Sequence, residues 1–405
     1  MAGKALTWLR DGAIMLGISV ALLALLELGL RVYMGPPAFE FDSELIAALT
    51  PNASKIYLRS VDGGPRFVRW ETNSEGFRGP PLLASPERRV IVYGDSNVQA
   101  RFSMQEQTFT GQLQRLLRES TSRKVEVINA GVVGYGPDQN LIRLEKDVER
   151  YSPNLVVFHV FTENDFGDIV RNRLFELDAD GELVPTGHEV TADARMPQSW
   201  WSRPTGELLS NSMISIFATT FMRARARAVD PRPVLDHDPE DFVEKRLRQH
   251  EREFEVYRAH APRKYSMFSD HYEADIAFAP ERESSRIKRA LLKAVLARAS
   301  AVAAERSIPF LVVIQPTSRD LTTNLPNHHE TLAGVEGYDR RRLDRWVAEL
   351  CDELGIEAVN LFDTFEAIGD DPNALYFAAP DPHWNEAGQL AAAEAVAPLI
   401  ANALR

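Results

Sequence analysis

Apolar and polar positions divide the chain into three regimes. Residues Gly12–Leu30 are nineteen positions with a single charge, Glu27, and no polar face. As a helix they reach about 28 Å, the hydrocarbon thickness of a bilayer, so a membrane-spanning segment is predicted. Glu27 stands four residues before Arg31, close enough along a helix to pair with it near the interface. Pro37 to about Pro86 has the pattern of a connector. One hairpin is expected there, where Lys55–Ser60 and Arg66–Glu71 flank an Asp62-Gly63-Gly64 turn.

From Arg88 onward, short apolar runs alternate with helix-period stretches. The runs are Val90–Tyr93, Val125–Asn129, Leu155–Phe161, Pro309–Ile314 and Ile356–Leu361. Helical spacing falls at Phe109–Glu119, Asp138–Tyr151, Ser285–Arg306, Asp339–Leu354 and Glu386–Leu404. Buried, β-branched strands alternating with helices imply a parallel sheet covered on both faces. The predicted fold is therefore a flavodoxin-like three-layer α/β/α sandwich on a five-stranded parallel sheet.

Residues 171–285 interrupt this order with no clear βα unit, and read as an inserted cap or subdomain. Within them Leu208–Met222, followed by Arg223, Arg225 and Arg227, reads as a core helix of the insertion, with a membrane-surface helix as the alternative. Asp241–His260 reads as a solvated, charged helix. The expected divisions are 1–36 for the cytoplasmic tip and anchor, 37–86 for the connector, and 87–405 for the α/β domain with its insertion.

Composition narrows the function classes. The chain of 405 residues carries 58 acidic and 46 basic side chains, a formal charge of −12, which argues against a nucleic-acid partner. The one cysteine, Cys351, excludes an intrachain disulfide and a cysteine-built zinc site. Lys4, Arg10 and the terminal amine precede the apolar helix, and Glu40, Asp42 and Glu44 follow it. The positive-inside rule then keeps the N-terminus cytoplasmic and places the body outside.

In open α/β sheets, ligands bind beyond the carboxyl ends of the strands. The first strand run ends in Gly94-Asp95-Ser96-Asn97, and the second in Asn129-Ala130-Gly131-Val132-Val133-Gly134. The third ends in Thr162-Glu163-Asn164-Asp165, and Asp381-Pro382-His383-Trp384-Asn385 precedes the last helix. These residue types suit acyl transfer. A serine hydroxyl becomes nucleophilic when a histidine takes its proton, and a carboxylate fixes that histidine's tautomer. Fixed N–H donors stabilise the tetrahedral oxyanion. Ser96 is the expected nucleophile, His383 the base and Asp381 the orienting acid. The amides of Ser96 and Gly134 and the Asn164 side chain are the expected oxyanion hole, with Asp95, Asp165 and Trp384 in support.

Other readings weigh less. Each block alone is also an ordinary turn or helix cap. The Gly131–Gly136 loop lacks the spacing of a dinucleotide loop, so no cofactor is expected. His328-His329-Glu330 and Asp236-His237-Asp238 lack a complete ligand set and read as solvated loops, so no metal is expected. His159 reads as a core histidine and Trp200-Trp201 as packing residues.

The four blocks together resemble the SGNH (GDSL) hydrolase superfamily, named for its catalytic Ser, Gly, Asn and His. Asn73-Ser74-Glu75-Gly76-Phe77-Arg78-Gly79 also resembles the lead-in of membrane-anchored bacterial members. Three positions depart from the family pattern. Thr162 replaces a glycine of the third block, Ala100 replaces a glycine four residues after the nucleophile, and acid and histidine are spaced D-x-H rather than D-x-x-H. That spacing, followed by Trp384, is similar to proteins that O-acetylate exopolysaccharides such as alginate. The resemblance implies an inner-membrane, single-pass serine esterase with a periplasmic or extracellular body, acting through an acyl-Ser96 intermediate on carbohydrate-linked acyl esters. The alternative is an O-acetyltransferase that modifies a polysaccharide, for which the resemblance implies a membrane-bound O-acyltransferase partner as acetyl donor. A non-catalytic scaffold or glycan-binding module is the alternative of another class.

Overall fold

A computed structural model describes residues 2–34, 37–61, 64–187, 238–260, 271–368, 371–377 and 381–405. The sequence features at Trp200-Trp201, Leu208–Met222 and Asp236-His237 lie outside the described residues. The chain begins with α1 (Ala2–Met34), which contains a 21-residue stretch, Arg10–Leu30, of mean hydropathy 2.3. Its apolar side chains, Leu16 and Leu25 among them, are exposed along its length. Among the described residues it is the one helix long and apolar enough to cross a membrane.

Two small antiparallel pairs follow: β1 (Phe39–Asp42) with β2 (Ile46–Leu49), and β3 (Ser54–Val61) with β4 (Gly64–Glu71). The second pair is the expected hairpin. The first was not foreseen, and it does more than connect. Leu45, Ala47, Leu49, Ala53 and Trp70 pack with Val132 and Tyr135, so this region forms a core against the second sequence block.

The central sheet holds β5 (Arg88–Tyr93), β6 (Val125–Asn129), β7 (Leu155–Phe161), β10 (Phe310–Gln315) and β11 (Glu357–Asn360). A minor hairpin, β8 (Phe175–Leu177) with β9 (Leu183–Pro185), lies between β7 and β10 in the chain. All pairings in the central sheet are parallel, and the order across it is β6-β5-β7-β10-β11. Numbered along the chain this is 2-1-3-4-5, the flavodoxin-like order, whose switch point lies between β5 and β7. The predicted fold class is the observed one.

Strand periodicity assigns the two faces. Ile91, Tyr93, Val156, Phe158, Val312 and Ile314 point into one core, and Val90, Val92, Val157, Leu311 and Val313 into the other. The first core is closed by α4 (Pro137–Tyr151), by α8 (Glu283–Ala304) and by α9 (Arg342–Leu354). The second is closed by α3 (Phe109–Thr121), α10 (Leu361–Ala367) and α11 (Glu386–Ala403). Each fully buried Val or Ile in these layers stabilises the fold by about 1.5–3 kcal/mol.

Three further helices bear on the site: α5 (Asp165–Asn172), α6 (Pro239–Arg258) and α7 (Ala274–Phe278). Helix α6 covers the stretch read as a solvated charged helix, and one face of it is not solvated. Val243, His250, Glu253, Phe254 and Tyr257 are buried. Polarity misled here because the buried His250 and Glu253 find partners on distant segments.

Candidate active site

Strand β5 delivers Gly94-Asp95-Ser96 to the rim, and the four-residue helix α2 (Ser96–Gln99) starts at the serine. Asp95 caps it, accepting a hydrogen bond from the Asn97 amide at 2.8 Å. Besides its own turn bond, the helix is pinned through its carbonyls by three distant side chains. Ser96 O accepts from the Ala100 amide at 2.8 Å, Asn97 O from Gln389 Nε2 at 3.0 Å, and Val98 O from Asn129 Nδ2 at 2.7 Å. Gln99 O accepts from the buried Arg78, whose other terminal nitrogen donates to Ser103 O at 2.6 Å. Burial lowers the Arg78 pKa to about 9. The helix ends at Ala100 in the left-handed region, φ 47°. This is the position where related sequences often carry glycine, and its backbone explains that preference. Thr162, at the other glycine position, adopts no positive φ and is buried.

Just before the last helix, Asn385 caps α11, accepting from the Ala387 and Gly388 amides and donating to Ala374 O and Tyr376 O. Because Asn385 does the capping, Asp381 and His383 are left for each other. Asp381 Oδ1 accepts the His383 backbone amide at 3.0 Å and approaches ring Nδ1 at 2.6 Å. One carboxylate oxygen thus meets both groups of the residue two positions on, which is why D-x-H spacing suffices. His383 Nε2 lies 2.7 Å from Ser96 Oγ. With Nδ1–H donating to Asp381, Nε2 is the acceptor for the serine proton. Asp381 and His383 side chains are each 31% exposed, so the pair is reachable from solvent.

Burial works against charging His383, but the hydrogen bond and charge of Asp381, helped by Asp95, outweigh it and hold the imidazole above its usual pKa of 6.5. Burial pushes Asp381 up, yet its bonds and attraction to His383 bring it below its ordinary value. Arg101, beside the triad, lowers both. Its guanidinium lies 4.8 Å from the Phe102 ring centre.

Trp384 is buried against His159, Phe109 and Phe365, and its amide donates to Asn97 Oδ1 at 3.3 Å, tying the histidine block to the nucleophile block. His159 is fully buried with Nε2 2.8 Å from Gln315 Oε1, and burial lowers its pKa, as suits a core histidine. Gly134 has φ 76°, a conformation that favours glycine. Nearby, Gly131 abuts α2 so closely that a Cβ would come within 2.5 Å of Gln99 N. Asn164, 2% exposed, donates from Nδ2 to Asp168 Oδ2 at 2.9 Å. Asp165 Oδ2 accepts the Phe161 amide at 2.7 Å, so its carboxylate braces the turn after β7.

The structure therefore brings Ser96, His383 and Asp381 into one hydrogen-bonded run, with Asp95 beside the serine at 3.3 Å. Sequence reasoning did not single out Asn97, Arg78, Arg101, Gln389 or Glu163. Glu163 is buried, its pKa raised by burial and drawn back by Arg319, Arg246 and His383, and its place next to Asn164 was the available signal.

Two buried groups have the donor types of a cation site: His250 with Glu253 and His271, and His250 with Glu273 and Asp275. Both already contain the chain's own cations. Lys288 Nζ lies 2.5 Å from Glu273 Oε2 and 2.9 Å from both Asp275 Oδ1 and His250 Nδ1, and Arg171 Nη1 lies 3.3 Å from His271 Nε2. They fit an internal ionic network rather than a metal.

Residues 268–405 match the family model described as the SGNH hydrolase-like domain of the acetyltransferase AlgX. The match includes Asp381 and His383 and stops short of Ser96. No curated protein matches the chain. Similar solved structures include a putative acylhydrolase from Bacteroides fragilis, at 12% identity over 80% of this chain and 92% of that one, TM-score 0.35. A lipase/acylhydrolase from Enterococcus faecalis is 10% identical over 78% and 96%, TM-score 0.36. A catalytic mutant of the acetylxylan esterase Axe2 from Geobacillus stearothermophilus is 12% identical over 79% and 96%, TM-score 0.38. At scores this low nothing about activity follows from them. Over residues 268–405 the chain is thus similar to the SGNH hydrolase-like domain of the acetyltransferase AlgX.

Proposed function

We propose that this protein is a membrane-anchored, extracytoplasmic serine esterase that acts through an acyl-Ser96 intermediate on carbohydrate-linked acyl esters. The observation that carries the reading is the run Ser96 Oγ–His383 Nε2 at 2.7 Å and His383 Nδ1–Asp381 Oδ1 at 2.6 Å. His383 takes the serine proton as Oγ bonds to the ester carbonyl carbon. Negative charge gathers on the carbonyl oxygen and is met by the Ser96 and Gly134 amides and the second Nδ2 proton of Asn164. As the C–O bond to the leaving alcohol breaks, His383 Nε2–H returns the proton to it. A second hydroxyl then attacks acyl-Ser96 by the same route. Asp381 holds the imidazolium throughout, and its lowered pKa keeps it ionised.

If the second hydroxyl is water, the reaction is hydrolysis. If it belongs to a sugar, the reaction is O-acetyl transfer, the reading favoured by the description of the matching family. In that variant a membrane-bound O-acyltransferase supplies the acetyl donor. The exposed apolar stretch of α1, with Lys4 and Arg10 towards its start and Glu40, Asp42 and Glu44 after the helix, supports an anchor with the body outside.

The test uses the detergent-solubilised full chain with 4-nitrophenyl acetate and an oligosaccharide acceptor. Acetyl-oligosaccharide formed by wild type and absent with Ser96→Ala identifies a transferase; acetate alone identifies an esterase. A cellular role retained by Ser96→Ala would instead establish the scaffold or glycan-binding reading and overturn the catalytic one.

A further inference from the structure

Asn164 occupies the N-cap position of α5 without using its side chain to cap that helix. A carboxamide turns easily about its last bond, so a donor aimed at an oxyanion needs a partner that fixes it. One Nδ2 proton is committed to Asp168 Oδ2 at 2.9 Å, one helical turn on. Asp168 Oδ1 in turn accepts from Arg171 Nη2 at 2.5 Å and Nε at 3.1 Å, and Arg171 Nη2 also donates to the carbonyl oxygen of Asn164 at 3.1 Å. The three residues close a ring of hydrogen bonds, with the Asp168 and Arg171 side chains each 2% exposed.

The ring is held from outside the sheet domain's βα units. Arg171 Nη1 lies 3.4 Å from Glu253 Oε2 on α6, 3.3 Å from His271 Nε2 and 3.7 Å from Glu273 Oε1. His271 Nε2 is itself 3.0 Å from Glu253 Oε1. Gly167 makes this approach feasible, since a Cβ there would collide with both Glu273 Oε1 and Arg171 Nη1. Behind them Lys288 balances Glu273 and Asp275.

We propose that Asp168 and Arg171 are positioning residues that aim the Asn164 amide, and that α6 with the 271–275 segment locks Arg171, so that the oxyanion donor is set by docking of the inserted region. This rests on the reading of Asn164 as an oxyanion donor.

A double-mutant cycle on the full chain tests it, with 4-nitrophenyl acetate as probe. In Asp168→Asn an amide NH2 must face either the Asn164 or the Arg171 donor, so one contact of the ring is lost. The expected result is a kcat lower by about 10- to 100-fold with KM little changed, part of the loss seen for one oxyanion donor. In an Asn164→Ala background the same substitution changes kcat by less than about twofold, since Asp168 then has no donor left to aim. The pH midpoint set by His383 stays where it is; a general loosening of the fold would move both.

Full additivity of the two losses, or an unchanged kcat in Asp168→Asn, overturns the positioning role while leaving Ser96 chemistry intact. An unchanged kcat in Asn164→Ala overturns the oxyanion reading itself. If Asp168→Asn does not fold, Arg171→Lys, which keeps the charge and loses the two-nitrogen fork, replaces it in the same cycle with the same outcomes.

Discussion

Gly131 gives the account a geometric handle on the nucleophile. A Cβ built there would stand 2.5 Å from Gln99 N and 2.8 Å from Val98 C, both backbone atoms of the helix that starts at Ser96. Ordinary contact begins near 3.4 Å, so Gly131→Ala requires a separation of 3.4 − 2.5 = 0.9 Å. Taken up by α2 along the Ser96–His383 line, this would stretch their 2.7 Å contact to 2.7 + 0.9 = 3.6 Å, beyond a hydrogen bond. Misplacement on the scale of 1 Å costs about 100-fold in rate, or about 2.7 kcal/mol of barrier. Overpacking adds about 1–3 kcal/mol of lost stability. The assay is kcat/KM for 4-nitrophenyl acetate alongside thermal unfolding. Gly334→Ala serves as control, because a Cβ there meets nothing within 4 Å. Gly131→Ala with near-normal turnover and unfolding would refute the close approach of the glycine loop to the nucleophile helix.

Further outcomes follow from the same geometry. Because His383 sits above its usual pKa through Asp381, kcat/KM should rise with pH through a midpoint above 6.5, as the base loses its proton; Asp381→Asn should lower that midpoint, and an unmoved midpoint would break the link. Lys288→Met leaves Glu273 and Asp275 buried without their nearest cation and should cost about 3–5 kcal/mol in denaturant unfolding; a loss below about 1 kcal/mol would contradict it. At the left-handed Ala100, Ala100→Gly should be neutral within about 1 kcal/mol, and the β-branched Ala100→Val should cost about 2 kcal/mol; equal stability of the two would argue against that backbone conformation.

The sheet was legible because its five strands are buried on both faces and so stand out as apolar runs between helix-period stretches. The order of the strands across the sheet is read from the structure. The β1–β2 pair was not legible, since Phe39–Asp42 and Ile46–Leu49 are four residues each and the second lacks polar alternation. Helix α5 is also short, and its sequence alternates acids with apolar residues in a way that a turn would too.

At the site, Ser96, Asp381 and His383 could be picked out because each block ends a strand or precedes a helix at the same rim. Their supports could not. Arg78 reaches Gln99 and Ser103, and Gln389 reaches Asn97 and Phe109, across separations of tens to hundreds of residues. The charged face of α6 reads as solvated until Arg171, His271 and Glu273 are placed against it. Asp168 and Arg171 did stand at helical spacing after Asn164, but that spacing acquires meaning only once the donor they hold is known.

The most direct measurement is covalent labelling of the full-length protein with a fluorophosphonate, with the adduct located by peptide mass spectrometry. Modification is expected at Ser96, lost in Ser96→Ala and strongly slowed in His383→Ala. A folded protein that reacts elsewhere, or that leaves Ser96 unmodified, would contradict it.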